Sequence, residues 1–297
     1  MRILVTGASG RLGGQLLEVL SPRGHTLIGA DMSANPAQPG SIALDVSDFN
    51  ATRAAVRAVQ PDLVIHSAAW TDVDGCARDP EKAVQINGYG AQHVALAAAQ
   101  VGAAVLYVSS NEVFDGRAKL PYREYDLQKP ANPYGYSKFV GEQTTLSLNP
   151  RHYIVRTAWL FAHGGKNFLQ AILNAAEQGK PLRVVIDEVA NPTYAVDLAV
   201  AIAELVETER FGIYHLVNEG FCSRYAFARY VLDQAGASAV PIEPISSREW
   251  QRASQPPLYS ALSNHAGALA GLTLRPWQQA VDAFLAREGL LMRAKDG

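Results

Sequence analysis

A glycine-rich turn between the first predicted strand and the first predicted helix constrains this chain more than any other feature. Residues 3–5 are apolar and strand-like, residues 12–20 have helical periodicity, and Thr-Gly-Ala-Ser-Gly-Arg-Leu-Gly occupies positions 6–13. In that position a glycine turn lets backbone amides reach a phosphate at the positive end of a helix. A tight turn without a ligand is the alternative, but the flanking elements favour a dinucleotide site. Its candidate residues are Gly7, Gly10, Arg11, Leu12 and Gly13.

Strand-like runs alternate with helical stretches along the chain. The runs are residues 3–5, 27–30, 63–66, 105–108, 153–155, 184–186 and 213–216. Helical stretches such as 12–20 and 83–99 separate them, and the second has a good start at Asp79-Pro80-Glu81. This alternation predicts an α/β fold, a Rossmann-type doubly wound parallel sheet with helices on its faces. The proline-bearing region 242–257 is predicted to be irregular.

No Gly/Ser-rich linker divides the chain, so a second domain would grow from the loops that follow the strands. We expect an NAD(P)-binding Rossmann domain of residues 1–160 with 193–218. A smaller C-terminal substrate-binding lobe is expected from residues 161–192 with 219–297.

Composition and charge exclude several classes of function. The 297 residues are 48% hydrophobic and 18% charged, as in a globular enzyme, and 26 basic against 28 acidic side chains give a formal charge of -2. That charge predicts no nucleic-acid or membrane partner. No apolar run is long enough to span a bilayer and the first residues do not resemble a signal peptide, so a cytoplasmic location is expected. Cys76 and Cys222 lack metal or redox spacing and are predicted to be structural.

Asp31 ends the second predicted strand, eighteen residues after Gly13. A carboxylate there can accept hydrogen bonds from the adenosine ribose, which slightly favours NADH over NADPH. Arg11 lies in the glycine loop and could instead receive a 2′-phosphate, or be a solvated side chain at the helix start. Asp45 and Val46 follow a third apolar run, where they could contact the adenine, although Asp45 could equally cap a helix that begins near Ser47.

Tyr134 and Lys138 are four residues apart and therefore share one face of a predicted helix. A free tyrosine, with a pKa of about 10, holds its proton tightly, and a neighbouring ammonium lowers that pKa. The pair is a candidate proton donor with its cationic partner. The spacing alone is weak, because surface pairs of this kind are common.

Taken together, the glycine loop and the Tyr134/Lys138 pair resemble the extended short-chain dehydrogenase/reductase family. Within it the chain resembles the dTDP-4-dehydrorhamnose reductases, through residues 68–74, 113–116, 134–142, 156–159, 191–193 and 214–218. The resemblance implies NAD(P)H-dependent reduction of the C4 keto group of a nucleotide-linked 6-deoxy-4-ketosugar, with dTDP-4-dehydro-L-rhamnose as the first candidate. A small-molecule nucleotide sugar is then the partner, and the enzyme is a monomer or homodimer.

The resemblance also implies roles for individual residues. The catalytic set would be Ser110, Tyr134 and Lys138, with Tyr134 and Lys138 also contacting the cofactor. Asn87 would have a structural or proton-relay role, of which the structural one is favoured. Trp159 would contact the sugar, with core packing nearly as strong an alternative. The nicotinamide side of the groove would be lined by Ala68, Ala69, Trp70 and Thr71, and the substrate would be bound by Ser110, Asn111, Tyr134 and Trp159.

The chain departs from the reductase pattern after its fourth predicted strand. Ser110 stands where the reductases carry threonine and keeps the hydroxyl, whereas Asn111 replaces an aspartate and cannot exchange a proton. Glu112 makes this segment resemble that of the nucleotide-sugar 4,6-dehydratases, which use an Asp-Glu pair. With Asn111 in place of the aspartate, that acid/base pair would be incomplete. Both residues could also only shape the loop. The alternatives are therefore a same-fold dehydratase or epimerase, or a non-catalytic dinucleotide-binding regulatory subunit.

Two further departures concern ligands. Some reductases bind magnesium through acidic residues, and Gln15 stands at one of those positions, so no metal requirement is predicted. Arg224, Gln255 and Tyr259 are candidates for the substrate lobe. An arginine expected near Gln255 for the pyrophosphate is missing, and Arg252 could take its place.

Overall fold

The computed structural model describes residues 1–35, 40–165 and 167–292. Its strands are β1 Arg2–Thr6, β2 Thr26–Asp31, β3 Ile42–Ala43, β4 Leu63–His66, β5 Ala104–Ser110, β6 His152–Thr157, β7 Leu160–Phe161, β8 Leu182–Val185, β9 Val189–Ala190, β10 Thr193–Tyr194, β11 Gly212–His215, β12 Cys222–Ser223 and β13 Ile242–Ile245. Its α-helices are α1 Arg11–Leu20, α2 Phe49–Val59, α3 Val73–Arg78, α4 Pro80–Ala83, α5 Gly90–Gln100, α6 Pro133–Leu148, α7 Phe168–Glu177, α8 Ala195–Val206, α9 Arg224–Gln234, α10 His265–Leu269 and α11 Trp277–Arg287.

The main sheet of the described residues has seven parallel strands in the order β3-β2-β1-β4-β5-β6-β11. The order reverses direction between β1 and β4, and the carboxyl ends of these neighbouring strands leave a crevice there. The predicted doubly wound Rossmann-type sheet is confirmed. The glycine turn after β1 therefore opens directly into the crevice.

Both faces of the main sheet are covered by helices, as the continuous apolar strands require. On one face α1 and α8 pack against the sheet through residues such as Leu16 and Ile202, and on the other face α2 and α5 pack through Val56 and Val94. Every one of these four side chains is at most 1% exposed. The two packed layers hold the strand ends, and hence the crevice, in fixed positions.

A second core lies outside the main sheet and joins α7, α9 and α11 with side chains such as Leu173, Phe227 and Phe284. Two short strands, β8 and β13, pair in parallel beside it. The run predicted at 184–186 is therefore a strand that belongs to this smaller sheet. The predicted irregular region was wrong at its start, because Ile242–Ile245 forms β13 in spite of Pro244, which a two-stranded sheet tolerates at an edge. The division into residues 1–160 with 193–218 and 161–192 with 219–297 stays a prediction.

The long helix predicted at 83–99 is interrupted. Asp79 caps α4 by accepting a hydrogen bond from the amide of Lys82, and a π-helical segment, Val84–Tyr89, joins α4 to α5. A π-helical turn widens the helix and changes the direction of its side chains. Here it directs Asn87, which is fully buried, toward the loop after β4.

Candidate active site

The glycine loop has the geometry that a phosphate cradle requires. Gly7 has a φ of +71°, and a Cβ added to it would lie 2.6 Å from the backbone nitrogen of Ala68. A Cβ on Gly13 would collide with the carbonyl oxygen of Gly7, so α1 can begin this close to β1 only with glycine at position 13. The loop amides consequently face open space at the start of α1.

That space is a groove of roughly 960 Å³ along the carboxyl ends of β1, β2 and β4. Its volume fits the upper end of the range for small-molecule and cofactor sites. Predicted cofactor residues that line it are Gly7, Gly10, Asp31, Asp45, Val46, Ala68, Ala69 and Trp70.

Asp31 lies at the far end of the groove, where β2 ends. Its Oδ2 accepts a 2.9 Å hydrogen bond from the amide of Ser9 and its Oδ1 accepts one of 2.8 Å from the amide of Met32. These two bonds fix the carboxylate against the glycine loop. Each oxygen has a second lone pair, which can accept from a ligand hydroxyl.

Asp45 and Val46 line the same groove but also have local roles. Asp45 accepts hydrogen bonds from the amide and the hydroxyl of Ser47, while the cap of α2 is Asp48. The helix begins at Phe49 and not near Ser47, so Asp45 does not cap it. Val46 is 6% exposed.

A second cavity of roughly 390 Å³ adjoins the groove through Gly7, Gly10 and Ala69, which line both. The three predicted catalytic residues meet here, since Ser110 ends β5 while Tyr134 and Lys138 lie in the first two turns of α6. Asn132 caps this helix by accepting from the amide of Gly135, and Pro133 occupies its first position. The remaining predicted residues that line this cavity are Arg11, Leu12, Gly13, Thr71, Asn111 and Trp159.

The environment of Tyr134 differs from the one predicted. Burial raises the pKa of its phenol well above the ordinary value, the Glu112 carboxylate raises it further, and a hydrogen bond with Ser110 lowers it. The expected lowering by Lys138 is not among these influences. Tyr134 therefore stays protonated at neutral pH and is in the correct state to donate a proton.

Lys138 is 3% exposed, and burial lowers the pKa of its ammonium to about 7, with Glu142 and Cys76 acting in the opposite direction. Desolvation disfavours the charged form of a lysine, so this direction is the expected one. Its ammonium lies 4.2 Å from the centroid of the Tyr107 ring.

Asn111 is 3% exposed and its amide is engaged on both sides. Its Oδ1 accepts a 3.2 Å hydrogen bond from the Ser110 hydroxyl, and its Nδ2 donates 2.7 Å to the hydroxyl of Ser260. Asn111 thus orients Ser110 and ties β5 to the segment around residue 260. Asn111 also lines the cavity, and its contact with the substrate stays a prediction.

Glu112 is half-buried in the wall of the same cavity, and burial raises the pKa of its carboxyl group. Its Oε2 accepts a 2.6 Å hydrogen bond from Nδ2 of Asn132, the residue that caps α6. Since Asn132 also fixes the first turn of α6, Glu112 helps to place Tyr134.

Trp159 is half-buried: it lines the cavity and also packs against two buried apolar clusters, and its contact with the sugar stays a prediction. Its φ is +37°, an unusual value for a side chain this large. The guanidinium carbon of Arg224 lies 3.7 Å from the centroid of its ring. Arg224 also lines the cavity, whereas Arg252 and Gln255 line a neighbouring groove of roughly 570 Å³ and Tyr259 lines neither.

Glu188 connects the cavity lined by Arg224 with the neighbouring groove lined by Arg252. It is 2% exposed and forms ion pairs with both Arg224 and Arg252. A carboxylate this buried requires such partners.

Asn87 anchors the loop after β4. Its Oδ1 accepts from the amide of Trp70 at 2.7 Å, and its Nδ2 donates to the carbonyl of Trp70 and to the hydroxyl of Ser137. These contacts agree with a structural role, in which Asn87 joins the groove wall to α6.

Comparison with known proteins identifies the family. The family model described as RmlD substrate binding domain matches residues 1–289. The chain belongs to this RmlD family. The chain is 37% identical over 292 residues to a dTDP-4-dehydrorhamnose reductase of Mycobacterium tuberculosis, covering 96% of this chain and 92% of that one. It is 36% identical over 284 residues to the spore coat polysaccharide biosynthesis protein SpsK of Bacillus subtilis, covering 96% of each.

A solved structure extends this likeness to three dimensions. The dTDP-4-dehydrorhamnose reductase of Bacillus anthracis in complex with NADP superposes with a TM-score of 0.90 at 33% identity, covering 96% of this chain and 99% of that one. The recognised resemblance to dTDP-4-dehydrorhamnose reductases is therefore confirmed.

Some residues of the RmlD-family site were not predicted. Thr157, at the end of β6, lines the cavity, and Lys82 lines the groove with its ammonium 4.9 Å from the centroid of the Trp70 ring. The position of Thr157 at a carboxyl strand end was the available signal. The sequence contained no such signal for Lys82, because its approach to Trp70 depends on how α4 packs.

The described part of the chain contains neither a metal-binding cluster nor a membrane-spanning helix. No group of three or more His, Cys, Asp or Glu side chains that could hold a metal ion occurs in residues 1–35, 40–165 and 167–292. In that same part of the chain no helix has the length and apolar character needed to cross a bilayer. Gln15 lies on α1, and metal independence stays a prediction.

Proposed function

We propose that this RmlD-family protein is an NAD(P)H-dependent oxidoreductase that reduces the C4 keto group of a nucleotide-linked 6-deoxy-4-ketosugar, with dTDP-4-dehydro-L-rhamnose reduced to dTDP-L-rhamnose. The observation that carries the proposal is the meeting of Ser110, Tyr134 and Lys138 in a cavity that opens into the glycine-loop groove. The names of the relatives supply the substrate class.

The residues of the groove fit a nicotinamide dinucleotide. Gly7 and Gly13 leave the amides at the start of α1 uncovered, and this arrangement suits the pyrophosphate. Ala68, Ala69 and Trp70 line the groove toward the catalytic cavity, where the nicotinamide would lie. When bound, the reduced nicotinamide supplies the hydride for the keto carbon.

The chain's own residues handle the proton and the carbonyl oxygen. The Ser110 hydroxyl turns its proton from Oδ1 of Asn111 to that oxygen, and Tyr134 transfers its phenolic proton to it as the alcohol forms. Lys138 stabilises the phenolate that remains and binds the nicotinamide ribose. One hydride and one proton convert the ketone to the alcohol, and solvent returns the proton to Tyr134.

NADH is proposed as the slightly favoured cofactor, because the Asp31 carboxylate suits the free 2′-hydroxyl of its ribose and repels a 2′-phosphate. Arg11 in the glycine loop would instead favour NADPH, because its guanidinium attracts a 2′-phosphate. We also propose a cytoplasmic location and a monomeric or homodimeric state. Size-exclusion chromatography with light scattering measures the oligomeric state.

The test is to incubate the protein with enzymatically generated dTDP-4-dehydro-6-deoxysugars and each reduced cofactor. Stoichiometric loss of absorbance at the nicotinamide wavelength, together with a 6-deoxyhexose whose C4 carries a hydroxyl, is expected. Product analysis then identifies the ketosugar and the configuration at C4, which the shape of the cavity determines.

Two other results would overturn the proposal. A same-fold dehydratase or epimerase returns its hydride and shows conversion of sugar nucleotide with no net consumption of reduced cofactor. A regulatory subunit binds the dinucleotide but reduces no ketosugar nucleotide, and it co-purifies with an enzyme in fixed ratio. The intact set of Ser110, Tyr134 and Lys138 argues against the second.

A further inference from the structure

Lys138 has an unusual set of neighbours. Among the described residues, none forms a hydrogen bond or an ion pair with its ammonium, although the side chain is 3% exposed. The directed contact it makes is with Tyr107, whose ring centroid lies 4.2 Å from the ammonium nitrogen. At that distance the negative face of an aromatic ring attracts a cation, most strongly where water is excluded.

Tyr107 is held in place from several sides. It lies on β5, is fully buried, and its hydroxyl donates a 3.3 Å hydrogen bond to the carbonyl oxygen of Asn87. The absence of a side chain at Gly141 lets α6 approach that hydroxyl, because a Cβ there would collide with it. The His66 ring stacks against Tyr107 with 5.6 Å between centroids, and the hydroxyl of Thr6 fixes His66 at 2.7 Å.

We propose that Tyr107 is a positioning residue: the face of its ring binds the Lys138 ammonium and favours the charged form of that group. The inference rests on the proposed function for its purpose, since a charged and fixed lysine is what the phenolate of Tyr134 needs after proton transfer. Tyr107 itself does not line the cavity, so it acts through Lys138.

Other groups also influence this ammonium. Glu142 from the same helix and Cys76 from α3 favour the charged form, while burial disfavours it. His66 on β4 is neutral in the fold, since burial and the Lys138 charge lower its pKa to about 3. The Tyr107 ring also contributes to the burial of Lys138 and stacks on His66, so its electrostatic contribution is measured most directly with variants that keep the size of the ring.

The experiment is a pH titration of the full-length protein labelled with 13Cε-lysine and followed by NMR. The Lys138 resonance is assigned by its loss in Lys138→Arg. Replacing the ring with an aliphatic side chain in Tyr107→Leu should lower the titration midpoint of Lys138 by roughly one pH unit. Tyr107→Phe keeps the ring face and should restore the wild-type midpoint. An unchanged or higher midpoint in Tyr107→Leu overturns the proposal.

A second series of variants retains the shape of the ring, in case the leucine variant does not fold. It starts from Tyr107→Phe, in which the phenylalanine is replaced by increasingly fluorinated analogues that weaken the negative charge of the ring face at nearly constant size. The titration midpoint of Lys138 should fall with each added fluorine, and a constant midpoint contradicts the proposed role of Tyr107. Tyr153→Leu is the matched control, because Tyr153 is 1% exposed on the adjacent strand and packs against Phe211.

The kinetic readout separates this inference from the proposed function. If the wild-type protein reduces ketosugar nucleotides, the high-pH limb of kcat should move to lower pH in Tyr107→Leu, with about a tenfold loss well above the midpoint, and remain in place in Tyr153→Leu. If the wild type shows no reductase activity, the proposed function fails, while the NMR midpoints still decide whether Tyr107 seats Lys138.

Discussion

The guanidinium carbon of Arg224 lies 3.7 Å above the centroid of the Trp159 ring, and this stacked pair forms one wall of the cavity that contains Tyr134. A planar guanidinium stacks well on an aromatic face while its N–H groups remain free to donate in the plane. The buried Glu188 carboxylate holds the arginine from behind. A cationic wall of this type is suited to an anionic nucleotide sugar.

Arg224→Ala is expected to raise KM for the sugar nucleotide by roughly tenfold, since a charge-assisted contact and a stacking contact are lost together. The effect on kcat should be smaller, because in the proposed mechanism Arg224 neither gives nor receives the transferred proton. Steady-state kinetics at saturating cofactor measure both. The control is Arg229→Ala on the same helix, whose side chain pairs with Asp233; an equal rise in KM there would show that damage to α9 is the cause.

Tyr134→Phe removes the proposed proton donor and is expected to raise the barrier by about 3 to 5 kcal/mol, since positioned proton transfer contributes roughly 10²- to 10⁴-fold. Cofactor binding, measured by fluorescence titration, should be nearly unchanged. Tyr136→Phe is the control, because Tyr136 is on the same helix and 52% exposed. Turnover of Tyr134→Phe near the wild-type rate would eliminate this residue as the acid.

The glycine loop and the Tyr134/Lys138 pair could be predicted because their geometry is local. A turn of eight residues and an interval of four along a helix fix the relative positions of the side chains before tertiary packing is known. The main sheet followed from the alternation of strand and helix signals for the same reason.

Other features depended on packing between distant segments. Arg224 meets Trp159 across sixty-five residues of sequence, and Glu188 reaches Arg252 from the opposite side, so no local pattern could pair them. The pKa of Tyr134 was predicted to fall because Lys138 is near in sequence, yet burial raises it. Strand β13 was missed because Pro244 argues against a strand unless the strand lies at an edge.

Asp31→Ala should weaken NADH binding more than NADPH binding. The carboxylate, fixed by the amides of Ser9 and Met32, is proposed to accept a hydrogen bond from the free 2′-hydroxyl of NADH and to repel the 2′-phosphate of NADPH. Parallel fluorescence titrations with the two cofactors provide the comparison. Asp62→Ala is a suitable control, because that carboxylate also accepts from a backbone amide, that of Arg2, but at the amino ends of β1 and β4, at the end of the sheet opposite the groove. Equal losses for both cofactors in Asp31→Ala would contradict the assignment.

Removal of divalent metal should leave the reductase activity unchanged. In residues 1–35, 40–165 and 167–292 no cluster of three potential ligands occurs, and position 15 carries a glutamine in place of an acid. Initial rates before and after dialysis against a chelator test this. Loss of activity that returns with magnesium would show that a metal site forms from residues of more than one chain or outside the described part.

The protein should lose stability steeply as the pH falls below about 6.5, because two buried histidines stay neutral in the fold. Burial and the Lys138 charge lower the pKa of His66 to about 3, and burial and Arg156 do the same for His215. Between pH 6.5 and 3 the unfolded chain binds protons that the folded chain does not, so the free energy of unfolding falls as pH falls.

The size of this effect is about 1.4 kcal/mol per pH unit for each histidine, or roughly 2 kcal/mol each between pH 6.5 and 5. Urea denaturation across that range measures it, at pH values where the wild type is still folded. His66→Asn should show a slope of free energy against pH that is shallower by one proton, since Nε2 of His66 has no hydrogen-bond partner among the described residues and the ring must stay neutral. The same replacement at the exposed His265 is the control for the loss of a histidine as such. If His66→Asn and wild type have the same slope, His66 is not a neutral buried group.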